Sequence, residues 1–247
     1  MPLPGGPVLV GGGLLAGEPL HFEPSPEGAF HALAAVPLGG AARAVATVVL
    51  HDAAGRIGVA VAPLPVARRS VPRERIRPPA RFTRPPDPEL AARIARERDQ
   101  VRAVFERSHG TPRLWTGEFA RPLAGRITSV FGTRRVIVGG STSRHWGVDL
   151  DGRVGTPVRA SNRAVVALVG DFYYSGLTVY LDHGAGLVSG YLHLSRILVS
   201  PGDTVATGQV IGHVGATGRV TGPHLHWLAH YGRIAVDPLS LLELPGP

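Results

Sequence analysis

The chain contains 247 residues, of which 44% are hydrophobic and 18% charged, so it can bury one large core or two modest ones. It has no cysteine, which excludes disulfides, thiolate metal ligands and cysteine nucleophiles. Its positive charge comes from arginine alone, and the formal net charge is +8. This excess reflects biased coding composition or attraction to an anionic polymer, either nucleic acid or a cell wall. Nucleic acid is not an expected partner, because the chain has no RNA-module motif and no basic stripe interleaved with aromatic residues. No apolar run reaches the roughly 18 residues of a membrane span.

Residues 1–67 are predicted to form a small N-terminal domain resembling a β-sandwich. Short apolar or alternating runs are separated by Gly, Pro and Asp-Ala-Ala-Gly turns, which is the pattern of strands joined by tight loops. These runs cover residues 8–10, 29–33, 44–50 and 56–61. The first residues show neither the basic nor the apolar segment of a signal peptide, so either a signal peptide has been removed or the protein is not exported by that route. His21, His31 and His51 lack ligand spacing and are expected to be surface or packed residues.

Residues 68–118 are predicted to be a linker followed by one helix. The stretch from Arg68 to Pro88 is rich in arginine and proline, and we expect it to be extended and to have no core of its own. Pro88 suits the first turn of a helix that runs from Glu89 to about Ser108. Apolar residues recur along one side of this helix, which favours packing on its own protein over binding a partner. These residues are Leu90, Ile94, Val101, Val104 and Phe105.

Residues 119–247 are predicted to form an antiparallel all-β domain. Runs rich in apolar and β-branched residues follow one another at short intervals, and no convincing helix interrupts them. The runs cover residues 126–131, 157–160, 164–169, 177–182, 187–193, 204–206, 210–214 and 224–228. The fold class expected for the whole chain is therefore all-β, with a single helix in the linker.

Histidine is the best candidate for carrying chemistry in this domain. The chain has no Gly-x-Ser-x-Gly nucleophile elbow, no phosphate-binding loop and no His-Glu-x-x-His helix. Seven of its eleven histidines lie between His145 and His230. The search for a site therefore narrows to this part of the sequence.

Two short motifs place metal-competent side chains on one side of an extended strand. His145 and Asp149 are four residues apart, and His224 and His226 are two apart, so each pair shares a strand face. Brought together, the two pairs could supply three zinc ligands, an open position for water and one histidine for catalysis. The alternative is structural, with an ordinary surface ion pair at the first motif and a β-turn cap at the second.

The order and content of the motifs resemble the M23 family of zinc metallopeptidases, the lysostaphin- and LytM-type peptidoglycan endopeptidases. The resemblance covers residues 121–242, about half of the chain. It runs through Gly125–Gly132, His145–Asp149, Gly155–Ala160, Asp182–Gly186, Tyr191–Ser195 and Gly218–His226.

The resemblance implies a Zn²⁺ site whose ligands are His145, Asp149 and His226. It also implies that His193 and His224 flank the open zinc position. There they would act as general base toward the attacking water and as stabilisers of the tetrahedral oxyanion.

The resemblance also bears on one segment and one histidine. Some members carry a tyrosine a few residues before the first ligand histidine, but residues 135–144 contain none, which leaves oxyanion stabilisation to the two catalytic histidines. His183 lies in a segment that is structural in the family. Asp151 is expected to be exposed or to support the ligands. His230 is expected to be incidental, although it follows the second motif closely enough to line a substrate groove.

The expected function is hydrolysis of peptide bonds in peptidoglycan cross-links or stem peptides. We expect a monomeric enzyme in the periplasm or outside the cell, where its cationic surface would favour the anionic envelope. Two alternatives stay open. Some LytM-like domains have lost zinc and activate other wall hydrolases, and a zinc peptidase could instead act on proteins.

Overall fold

The computed structural model describes residues 9–25, 28–52, 54–137 and 142–244 of the chain. Contacts divide the chain into two units, Met1–Arg69 and Ser70–Pro247. Strands dominate both units, which confirms the predicted all-β class with one α-helix. Within the described ranges, no helix is both long enough and apolar enough to cross a membrane.

The N-terminal unit contains a four-stranded antiparallel sheet and a two-stranded one. Its strands are β1 (Leu9–Leu15), β2 (Glu18–Pro19), β3 (Phe22–Pro24), β4 (Phe30–Ala32), β5 (Arg43–His51) and β6 (Ile57–Pro65). The larger sheet has the order β2-β1-β5-β6, and β3 pairs with β4. Asp52 closes the turn between β5 and β6, because its carboxylate accepts hydrogen bonds from the backbone N–H groups of Ala54 and Arg56.

The second unit contains the helix and thirteen further strands within the described residues. These elements are β7 (Arg73–Ile76), α1 (Pro88–Arg107), β8 (Ile127–Ser129), β9 (Arg134–Ile137), β10 (Thr142–Arg144), β11 (Val148–Asp151), β12 (Pro157–Arg159), β13 (Ala164–Phe172), β14 (Gly176–Gly184), β15 (Leu187–Ile197), β16 (Thr204–Val205), β17 (Val210–Val214), β18 (His224–Tyr231) and β19 (Ile234–Val236). Short 3-10 helices cover residues 80–82, 108–110 and 238–243.

Most of these strands join one large antiparallel sheet. Its main path has the order β16-β13-β14-β15-β18-β11-β8. β12 and β17 pair with each other, β17 also pairs with β15, and β19 pairs with β18. Large side chains such as Trp227 and Tyr191 are fully buried in the core of this sheet. The predicted antiparallel arrangement is confirmed for these strands.

Helix α1 begins where the local sequence predicts and packs on the large sheet. The side chain of Asp87 caps it by accepting a hydrogen bond from the backbone N–H of Leu90 at 2.8 Å, and Pro88 occupies the first turn. Near the other end, the ring of Phe105 stacks on that of His230 with the centroids 3.8 Å apart. The apolar stripe therefore packs on its own protein, as expected. Its buried partners include Phe172, Tyr180, Val188, Leu192 and Leu228.

The stretch expected to be a linker without a core contains a strand, so that expectation is wrong. β7 pairs in parallel with β9, with Arg73 opposite Arg134 and Ile76 opposite Ile137. Strand pairing uses backbone hydrogen bonds, which do not depend on an apolar side-chain pattern, and this is why composition gave no sign of it. Because the contact boundary lies after Arg69, both β7 and α1 belong to the same unit as the large sheet.

Candidate metal site and cleft

Strand register brings the two histidine motifs together. β11 and β18 are antiparallel neighbours in which Asp149 lies opposite His226 and Asp151 opposite His224. Directly opposite residues in such a pair project from the same face of the sheet. His145 precedes β11 and is fixed by its backbone, whose N–H donates to the carbonyl of Thr133. The motifs that the sequence placed about eighty residues apart therefore share one face.

Three potential ligand atoms converge at this point. Nε2 of His145 lies 2.9 Å from Oδ1 of Asp149, and Nδ1 of His226 lies 2.8 Å from the same oxygen. The two histidine nitrogens are 2.9 Å apart. All three side chains are buried, and within the described residues they form a group that could hold a metal ion.

The hydrogen bonds of His145 orient its lone pair toward this point. Nδ1 lies 3.1 Å from the carbonyl oxygen of Val130, which can only accept, so in the neutral ring Nδ1 carries the proton. Nε2 then presents a lone pair to Oδ1 of Asp149, and two acceptor atoms face each other at 2.9 Å. A cation between such atoms stabilises the arrangement, and two imidazoles with one carboxylate are a donor set that suits zinc.

Arg135 holds the other oxygen of the Asp149 carboxylate. Its Nη2 donates to Oδ2 of Asp149 at 2.6 Å and to Oγ of Ser129 at 3.1 Å. Glu74 on β7 lies 3.5 Å from Nε of Arg135 and accepts from Ser129 Oγ at 3.1 Å. These contacts leave Oδ1 of Asp149 as the oxygen that faces the two histidines.

Burial and charge set the protonation of this group. Burial, the largest single cause, would raise the pKa of the Asp149 carboxyl, but the adjoining imidazoles of His145 and His226 together outweigh it and hold that pKa well below its ordinary value. Burial, the largest cause, lowers the pKa of His226 to about 4, although Asp149 opposes the shift. Asp149 is therefore ionised and His226 neutral near pH 7, the forms in which both can bind a metal.

His193 and His224 stand beside the three converging side chains. Their ring centroids are 5.0 Å apart, and the His193 ring is 5.9 Å from that of His226. Nδ1 of His193 lies 2.9 Å from the carbonyl of Thr217, and Nδ1 of His224 lies 2.9 Å from that of Gly222. In its neutral form each ring therefore carries the proton on Nδ1 and presents a lone pair at Nε2, and Nε2 of His224 lies 3.6 Å from Oδ1 of Asp149.

His193 is held in an uncommon conformation. Its backbone has φ +65°, in the left-handed region that favours glycine, and its N–H donates to the carbonyl of Ser175 at 2.9 Å. Burial first, and then the neighbouring His226 and His224, lower the pKa of His193 to about 3. A strained residue with a perturbed pKa beside a possible metal site is characteristic of functional positions.

Comparison with known proteins agrees with this geometry. Residues 143–238, which include all five site residues discussed above, match the family model described as peptidase family M23. The second unit contains an M23-family domain. The family resemblance seen in the sequence is confirmed.

The M23 domain has named relatives in several bacteria. It is 41% identical over 121 residues to peptidoglycan DD-endopeptidase ShyC of Vibrio cholerae and 46% identical over 103 residues to ShyA of the same organism. Over 122 residues it is 41% identical to the DD-carboxypeptidase/endopeptidase Mpg of Neisseria meningitidis. These alignments cover 49%, 41% and 49% of this chain but only 28%, 24% and 28% of the relatives, so the matched part spans about a quarter of their length.

One solved structure is similar over nearly the whole chain. The crystal structure of a putative M23 peptidase from Pseudomonas aeruginosa covers 96% of this chain with a TM-score of 0.73 and 29% sequence identity. The alignment spans 89% of that structure. The likeness therefore extends well beyond the residues that the family model matches.

The candidate site of the M23 domain opens into a cleft of about 240 Å³. All five predicted site residues line it. Three arginines also line it, Arg135, Arg144 and Arg219, together with the aromatic rings of Trp146 and Tyr174. None of these three arginines and two aromatic residues was predicted as a ligand or catalytic residue. Arg219 and Trp146 lie inside the quoted family segments, but the partners of an arginine cannot be read from a motif.

The other histidines of the M23 domain lie away from the cleft. His183 is fully buried, with Nδ1 3.0 Å from the carbonyl of Arg163 and Nε2 2.8 Å from Oγ of Ser189, and burial lowers its pKa to about 4. These contacts agree with the structural part expected of it. His230, expected to be incidental although near enough to line a groove, is stacked against the Phe105 ring and does not line the cleft.

Proposed function

We propose that this chain is a zinc-dependent endopeptidase that hydrolyses peptide bonds in peptidoglycan cross-links or stem peptides. The observation that carries the proposal is the convergence of His145, Asp149 and His226 beside the rings of His193 and His224, whose Nδ1 atoms contact backbone carbonyls. Three protein ligands of nitrogen and oxygen, with no fourth side chain in the group, are typical of a catalytic zinc site. Zinc, when bound, supplies a Lewis acid that activates water near neutral pH.

In this proposal the metal ligands are His145 through Nε2, His226 through Nδ1 and Asp149 through Oδ1. The contact of Nδ1 of His145 with the Val130 carbonyl would keep that ring in the tautomer required for binding. The hydrogen bond from Arg135 to Oδ2 would hold the carboxylate so that a single oxygen binds. Asp149 and His226 then need to lose no proton near pH 7.

His193 and His224 are the proposed catalytic residues. Either ring can accept a proton from the attacking water at Nε2, because its Nδ1 proton is engaged by a backbone carbonyl. The imidazolium formed in this way can stabilise the developing oxyanion or return the proton to the leaving amine. Their placement on two different strands, β15 and β18, allows one ring to serve each side of the scissile bond.

The substrate class is inferred from the relatives and from charge. Two of the relatives are named peptidoglycan DD-endopeptidases and a third a DD-carboxypeptidase/endopeptidase. The net charge of +8 would favour residence on an anionic envelope, in the periplasm or outside the cell. We propose that the enzyme acts there on peptidoglycan peptides as a monomer.

The test is digestion of purified sacculi by the zinc-loaded protein, with the products resolved by mass spectrometry. His224→Ala and a chelator-treated sample serve as inactive controls, and His213→Ala serves as a matched histidine substitution outside the cleft. New peptide fragments that appear with wild type and His213→Ala but not with the other two samples support the proposal. Absence of cleavage by a protein with one equivalent of zinc contradicts it and favours a regulator of other hydrolases or a peptidase of proteins.

A further inference from the structure

The three arginines that line the cleft differ in the hydrogen-bond partners of their guanidinium groups. Arg135 is paired with Asp149 and Glu74. Arg144 donates through Nη1 to the carbonyl of Gly132 at 3.3 Å and lies 5.7 Å from the Trp146 ring centroid. The guanidinium of Arg219 has neither a carboxylate nor a carbonyl partner among the described residues.

The surroundings of Arg219 are those of a cation kept partly out of water. Its guanidinium carbon lies 4.6 Å from the ring centroid of Tyr174, and its side chain is half-buried. Burial, the largest cause, and the nearby charge of Arg135 both lower the pKa of the guanidinium. A partly desolvated positive charge without an anion is unfavourable until a ligand supplies one.

Backbone contacts fix Arg219 relative to the catalytic histidines. Its N–H donates to the carbonyl of Tyr174 at 2.8 Å, and Oγ1 of Thr217 accepts from the N–H of Leu177 at 2.9 Å. The carbonyl of Thr217 is the same group that Nδ1 of His193 contacts. The loop that carries Arg219 is therefore tied to the turn before β14 and to His193.

We propose that Arg219 is a specificity residue that binds a carboxylate of the substrate peptide. The planar guanidinium can donate two parallel hydrogen bonds to a carboxylate while its face stays stacked on Tyr174. His193 and His224 line the same cleft, so the bound carboxylate belongs to a residue at or next to the scissile bond. This inference rests on the proposed function only in taking a peptide as the ligand.

The carboxylate could come from either side of the scissile bond, since peptidoglycan stem peptides carry free carboxylates as well as peptide bonds. We would synthesise one cross-linked peptide dimer with every carboxylate free. Two matched dimers would each have a single carboxylate converted to a carboxamide, one on the acyl side and one on the leaving-amine side. Amidation changes the charge but hardly changes the shape.

Equilibrium binding of the three fluorescently labelled dimers decides the inference. Binding would be measured by anisotropy with zinc-loaded proteins in a His224→Ala background, so that turnover does not interfere. Arg219→Gln, Arg219→Lys and, as a matched loss of one exposed positive charge outside the cleft, Arg196→Gln would be compared. The cleavage of the same dimers would be followed separately with His224 restored.

Arg219→Gln should weaken binding of the free-carboxylate dimer by roughly 10- to 100-fold, the usual effect of losing a charge-assisted hydrogen bond. Amidation at the recognised position should weaken binding to wild type by a similar factor and should leave Arg219→Gln nearly unaffected. Arg219→Lys should recover only part of the affinity, and Arg196→Gln should match wild type.

Equal weakening of all three dimers by Arg219→Gln, or no weakening at all, overturns the inference and makes Arg219 a support for its loop. The same holds if wild type does not distinguish the amidated dimers from the free one. Selective binding without cleavage of any dimer by the enzyme with His224 leaves the carboxylate site standing and refutes the proposed function. The two failures are therefore distinguishable.

Discussion

Gly147 separates the two residues of the first ligand pair, and the structure leaves no room there for a side chain. A β-carbon at this position would lie 2.5 Å from the carbonyl oxygen of Trp227 and 2.7 Å from Nε2 of His226. The backbone at Trp227 is held on both sides, because β18 pairs with both β11 and β15. Gly147→Ala therefore strains this paired backbone at the shorter contact, and the His226 ring must move as well.

The size of this effect follows from the distances. To reach ordinary van der Waals contact at 3.4 Å, the ring of His226 must retreat by about 0.7 Å. Overpacking of a close-packed site costs about 1–3 kcal/mol in the free energy of unfolding. Disturbance of the groups that orient a metal ligand commonly lowers metal affinity by about 10- to 100-fold. We expect both effects in Gly147→Ala.

Zinc affinity would be measured by competition with a chromogenic chelator, and thermal unfolding of the metal-free proteins would be recorded alongside. Gly222→Ala is the matched control, because an added β-carbon there meets no atom within 4 Å although His224 is only two residues away. The control should behave as wild type in both measurements. Wild-type zinc affinity in Gly147→Ala would refute the reasoning, since it would mean that His226 does not bind the metal or need not stay in place.

Three other predictions test separate parts of the molecule. Asp149→Ala should lose bound zinc while His224→Ala keeps it but loses turnover; equal metal content in wild type and Asp149→Ala, by elemental analysis, would overturn the ligand assignment. Phe105→Ala removes a ring that helix α1 buries against the sheet, and it should lower the free energy of unfolding by about 3 kcal/mol in urea. A decrease below about 1 kcal/mol would contradict this packing. His183, whose pKa is lowered to about 4 by burial, takes up its proton more readily in the unfolded chain, so it should cost stability progressively as pH falls from about 6.5 through 4, by up to about 3 kcal/mol. The stability difference between wild type and His183→Gln should shrink over that interval in thermal melts, and a constant difference would contradict the buried neutral state.

Local signals in the sequence predicted much of this molecule. The start of helix α1 depends on Asp87 and Pro88, which act within one turn, so the predicted start at Glu89 is one residue from the observed one. The pair His224 with His226 follows from the alternation of side chains along β18, but His145 lies before β11, so the expectation that it shares one strand with Asp149 is wrong. The convergence of the two motifs needed the family resemblance as well, because alternation does not say which strands are neighbours.

What sequence could not predict depends on contacts between distant segments. Glu74 reaches Arg135 only because β7 lies beside β9, and an Arg/Pro-rich stretch gives no sign of that pairing. His230 has the same alternation as His224 and His226, so it lies on the same face of β18. Helix α1 covers the far end of this face, where Phe105 stacks on His230.

The pairing of β7 with β9 also bears on where the chain can be truncated for study. The family match begins at residue 143, but β8, the edge partner of the strand that carries Asp149, ends at Ser129. A fragment that began with the matched residues would lack β8, the Glu74–Arg135 brace and the helix over His230. It would expose an unpaired strand edge and an apolar sheet face, two features that promote aggregation. An expression fragment that starts near Ser70 keeps all of these elements, so the useful boundary for this domain lies some seventy residues before the one that the family match suggests.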